Sequence, residues 1–157
     1  MRPYPTNSPK AVARILALGM LIDGVADETE YRLIEQDSSL QALGIDNTLI
    51  DAVIREFYED LELGGSMTRT LDQRLTAGEL SRILGEVTFP FLQQSLLRAM
   101  MRVAVANDEL SAGEARLIRE ALLQWTNDDG VGSLAQSAEK PSRRRTDRHP
   151  SANRQAH

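Results

Sequence analysis

The stretch "IDGVADETEYRLI" at residues 22–34 returns, altered, as "ANDELSAGEARLI" at residues 106–118, eighty-four positions further on. In this register Glu30-Tyr31-Arg32-Leu33-Ile34 falls on Glu114-Ala115-Arg116-Leu117-Ile118, Asp23 on Asn107, Gly24 on Asp108 and Asp27 on Ser111. Each copy reads as the end of one helix and the start of the next. Gly24 and Asn107 are residue types that close a helix in the left-handed conformation. Asp27 and Ser111 are good N-caps, and the glutamate three positions on, Glu30 or Glu114, can reach back to the cap's own N–H in a capping box. A helix, a tight turn and a second helix therefore occur near both ends of the folded part. That arrangement predicts two similar αα-hairpins packed together, with the middle helices between them.

The remaining patterning is helical as well. "NSPKAVARILALGMLI" opens with Ser8 as cap and Pro9 at the first helical position, then sets Val12, Ile15, Leu16, Gly19 and Met20 on one face at three- and four-residue spacing. The helix after Asp27 carries Tyr31, Leu33 and Ile34 and breaks near "DSSLQALG". "DNTLIDAVIREFYEDL", capped by Asp46 and Asn47, forms an apolar stripe from Leu49 to Leu61 that includes Phe57 and Tyr58. Thr76 with Glu79 starts "TAGELSRILGEV", and "FPFLQQSLLRAMMRVAVAN" and "SAGEARLIREALLQW" complete the set. No stretch alternates as a strand would. The expected fold is an all-α bundle of six to seven helices. Trp125, Met100 and Met101 are expected to fill its core.

Charge divides the chain into two parts. From residue 131 the sequence is rich in Ser, Pro and Arg and nearly free of large apolar residues, which predicts a basic, unfolded tail over 131–157 after a helical domain over 1–130. The tail carries six basic against two acidic residues, a net +4, and the domain twelve against twenty-one, a net −9. A surface of that sign repels the phosphates of nucleic acid, so direct binding by the domain is not expected. Both histidines, His149 and His157, lie in the tail.

The chain has no cysteine, which excludes disulfides, thiolate metal sites and a cysteine nucleophile. Its longest uncharged apolar run, Ile15–Ile22, is far short of the roughly 20 residues a membrane span needs. Arg14 interrupts the one stretch that could serve as a secretory signal, and a cytoplasmic location is the expectation. There is no nucleophile elbow and no phosphate loop, since "LGGSMT" lacks the lysine of a Walker loop. The reading is of a chain that is not an enzyme.

Capping accounts for Glu30 and Glu114 without any ligand, but it does not require the acidity around them. Asp23, Asp27, Glu28 and Glu30 crowd one turn, and Asp108, Glu109 and Glu114 the other. Converging carboxylates repel unless solvent, basic side chains or a hard cation such as calcium or magnesium compensates them. An EF-hand is excluded, because Val25 and Ile34 stand where that loop needs oxygen ligands. An irregular divalent-cation site with Asp23, Asp27, Glu30, Asp108 and Glu114 as ligands is the alternative to capping alone.

The doublet "DGVADETE" and "NDELSAGE", with the opening "YPTNSPKAVARILAL", resembles the TerB-like tellurite-resistance family over about residues 8–126. Asp23, Gly24, Asp27 and Glu30 match the first motif of that family, whereas only Ser111 and Glu114 match the second directly. The resemblance implies an all-helical bacterial protein of tellurite-resistance and stress-response gene clusters. It also implies an adaptor that meets a protein partner, at or near a membrane complex, or binds a cation at its acidic turns. The competing reading from the residues is an autonomous calcium or magnesium sensor or buffer.

Overall fold

A computed structural model describes residues 1–22, 24, 26, 28–62, 71, 75–106 and 110–137, with side chains up to 126 except at 62 and 106. The described residues form seven helices and no strand: α1 (Pro9–Leu21), α2 (Glu28–Glu35), α3 (Ser38–Ala42), α4 (Asn47–Glu62), α5 (Ala77–Leu84), α6 (Pro90–Ala106) and α7 (Ala112–Ser137). The last helix runs past residue 130, where composition set the domain boundary; residues 138–157, the rest of the expected tail, lie outside the described part.

Helix α1 begins as its sequence dictates, with Ser8 Oγ accepting from the Ala11 N–H at 3.2 Å and Pro9 in the first turn. Periodicity gave it one apolar face, but every residue from Ala11 to Leu21 is buried. It is surrounded because α4, α5 and α6 all pack against it, and α7 crosses its C-terminal end. Small residues (Ala11, Ala13, Ala17 and Gly19) allow this close enclosure. Trp125 is buried as expected, its indole N–H donating to the Leu84 carbonyl at 3.2 Å, and Met100 is in the core. Met101 is not: 100° further round α6, it is half exposed.

Enclosing α1 also buries Arg14, which is 2 % exposed. Its guanidinium pairs with Glu86, donates to the Arg2 carbonyl at 2.6 Å and stacks 4.3 Å from the centre of the Tyr4 ring. Glu86 also accepts from the Tyr4 N–H at 3.2 Å, and Glu56 accepts from the Tyr4 hydroxyl and, at 2.6 Å, from Lys10. Arg2 closes the network on Asp60 of α4 at 2.9 Å. The first eight residues thus form a strap across α1, α4 and the α5–α6 connection. Asn7, at φ +59°, completes the strap by accepting from the Thr88 and Phe89 N–H groups at 2.8 and 3.1 Å.

The other breaks follow local chemistry. Asp37 caps α3, and Gly44, at φ +73°, ends it with Ile45 N–H bonded to Leu40 O and Gly44 N–H to Gln41 O, the paired bonds of a Schellman motif. Gly24, by contrast, is not in the left-handed region assigned to it from sequence; among the described glycines only Gly44 is.

Two glycine substitutions test this packing in opposite directions. A Cβ at Gly113, in the first turn of α7, would sit 3.1 Å from Cγ1 and 3.2 Å from Cγ2 of the buried Ile22. Gly113→Ala should destabilise the domain by about 1 kcal/mol or more in urea unfolding. At Gly78, in the first turn of α5, nothing lies within 4 Å, so Gly78→Ala should stabilise it by about 0.5 kcal/mol. Equal effects at the two sites would contradict the close approach of α7 to α1.

Candidate functional site: the paired turns

The hairpins α1–α2 and α6–α7 present the two copies of the repeated motif. In the second copy Ser111 Oγ accepts from the Glu114 N–H at 3.1 Å and Glu114 Oε2 accepts from the Ser111 N–H at 2.9 Å, a complete capping box. Glu30 holds the corresponding place in the first turn of α2. Both carboxylates are enclosed, Glu30 at 3 % and Glu114 at 4 % exposure, far more than a surface cap requires.

The reason for that burial is the approach of the hairpins to each other. A small apolar pocket is lined by Leu16 and Gly19 of α1, Ile34 of α2, Met100 and Val103 of α6, and Glu114, Leu117 and Ile118 of α7. Six of these form three pairs at the eighty-four-residue offset of the motif: Leu16 with Met100, Gly19 with Val103, and Ile34 with Ile118. Equivalent positions of the two copies therefore meet across one small space. The sequence echo is a spatial near-symmetry, and the space lies where its halves join.

Of the five residues expected to coordinate a cation, the structure places Glu30 and Glu114 at the starts of the two helices flanking this junction. Asp23, Asp27 and Asp108 lie outside the described residues. Among the described residues no group of three or more His, Cys, Asp or Glu side chains is arranged to hold a metal ion. Glu114 already uses one oxygen on the Ser111 N–H, and the other residues lining the pocket beside it are apolar.

Other titratable groups have structural partners. Asp37 is held below its ordinary value: burial acts to raise it, but the Ser39 hydroxyl at 2.5 Å, two backbone N–H groups and Arg102 at 2.6 Å outweigh that. Hydrogen bonds from Lys10 and Tyr4 hold Glu56 low. Burial, then the bond to Asp51 at 2.8 Å, pushes the Tyr31 hydroxyl up to about 12. The Arg14–Glu86 centre was missed in the sequence, although a lone arginine inside an aliphatic run is its signal.

No family model, no curated protein and no solved structure matches this chain.

The capping box makes a direct forecast. Ser111→Ala removes a bond to backbone, so it should cost about 1 kcal/mol in chemical denaturation, with and without calcium alike. Restoration of the unmutated midpoint by calcium would show that Ser111 and Glu114 serve a ligand instead.

Proposed function

We propose that this chain is a non-catalytic interaction module of the TerB-like kind, acting in tellurite resistance or a related stress response. The observation that carries this reading is the junction of the hairpins, where Glu30 and the capping Glu114 are buried and equivalent apolar residues meet. The Ser111–Glu114 capping box ties the start of α7, and Glu28, in the first turn of α2, is exposed. Turns of this acidic composition suit a basic protein partner, since complementary charge steers association and fixes register. Such a partner fits a complex in the cytoplasm or at the membrane face. No helix among the described residues is long and apolar enough to cross a membrane.

The non-catalytic reading draws support from how the buried ionisable groups are used. Arg14, Glu86 and Asp37, and the half-buried Glu56, are each bonded to structural partners, whereas a general acid or base needs a group left available to substrate.

A second reading, a calcium or magnesium sensor or buffer, rests on the burial of two carboxylates at equivalent positions. Melting curves in chelator and in millimolar calcium or magnesium separate the two. For an interaction module the midpoints coincide. For a cation site the metal raises the midpoint, while Asp23→Asn and Asp108→Asn stabilise the empty protein and shrink that gain, because the lost charge repels when the site is empty and coordinates when it is filled.

A further inference from the structure

The outward side of α6 is unlike the rest of this acidic domain. Phe91, Gln94, Arg98, Met101, Arg102 and Val105 are all exposed, with Phe91 at 64 %, Met101 at 50 % and Val105 at 71 %. At 100° per residue these six fall within about a quarter of the helix circumference, a single stripe about 21 Å long. The helix contains no acidic residue. Among the described residues Arg98 has no bonding partner, and Arg102 is held upright by Asp37 at 2.6 Å. Phe89, 60 % exposed, extends the stripe beyond the start of the helix, and Leu122 of the neighbouring α7 is exposed as well. An apolar stripe of this extent on a monomer marks a contact surface.

We propose that this stripe binds an amphipathic helix of a partner protein whose apolar side is flanked by acidic residues. Charge complementarity selects that occupant. Arg98, and Arg102, which stays half exposed beside Asp37, stand on a helix without acidic residues, within a domain whose net charge with both included is −9. A single helix laid along α6 lies against a helix that carries two arginines and no acidic residue. A lipid bilayer or nucleic-acid duplex would bring its negative charge against the acidic surface beyond, within the roughly 10 Å over which such charges act. The surface lies opposite the buried side of α6 that meets α1 and α2, so it is separate from the junction of the hairpins.

The test titrates the full chain against a labelled peptide of about 18 residues, long enough to cover the stripe at 1.5 Å per residue. The peptide is built of Leu and Glu as an amphipathic helix, and a Leu and Lys counterpart and phosphatidylcholine–phosphatidylglycerol vesicles serve as competitors. The Glu peptide binds, and Arg98→Glu and Met101→Asp each weaken it by about tenfold or more while the thermal midpoint holds, since both side chains are exposed. Arg55→Glu, on α4, leaves binding unchanged. Equal binding of the Lys peptide, preference for the vesicles, or Glu-peptide binding that survives both substitutions overturns the proposal.

Discussion

Complete enclosure of α1 is the constraint on which the other features depend. A helix buried on all sides must be lined by small and aliphatic residues, and Ala11–Leu21 is such a run except at Arg14. A guanidinium in that position is tolerable only if its charge and N–H groups are met inside the protein. Glu86, the Arg2 carbonyl and the Tyr4 ring meet its charge and its terminal N–H groups, while Nε has no partner among the described residues, and this requires the first eight residues to fold over the helix. The strap, the α5–α6 connection and α4 are thus positioned around one buried cation. Removing either member of the pair strands a charge, at a cost of about 3–5 kcal/mol.

Enclosure also creates the junction. With α1 central, α6 packs against it and α7 crosses its end, so the second hairpin meets the first through equivalent residues. Gly113 against Ile22, and Gly19 against Leu117 at 3.8 Å, show how closely the helices approach there. That proximity encloses Glu30 and Glu114. For Glu114 the chemistry is local: a carboxylate that accepts from the N–H of its own helix's N-cap costs less to bury.

What the sequence disclosed follows the range of each interaction. Caps are made by neighbours in the chain, and Ser8, Thr76 with Glu79, Asp46 and Ser111 with Glu114 are all as their patterns indicate. The repeat announced the paired hairpins for the same reason. Burial of Arg14 and exposure of Met101 depend on which helices come to lie alongside, and periodicity within one helix carries no such information. Gly24 and Gly44 are equally plausible helix terminators by type, yet only Gly44 has the left-handed backbone, since a five-residue helix must there turn back sharply into Ile45. Of the candidate cation ligands, Glu114 is placed in a capping box and Glu30 in the first turn of α2, and Asp23, Asp27 and Asp108 lie outside the described residues.

The domain uses its interior polar groups, Arg14 with Glu86 and the Ser111–Glu114 capping box, to hold its helices. The claim beneath this account is that α1 opens only when the whole domain does. Native-state hydrogen exchange in increasing denaturant measures it directly. The slowest amides of Ile15–Met20 should exchange with an opening free energy equal to that of global unfolding. Exchange of these amides at a free energy well below that of α4 or α6 would contradict it, because the helix could then leave its place without unfolding the rest.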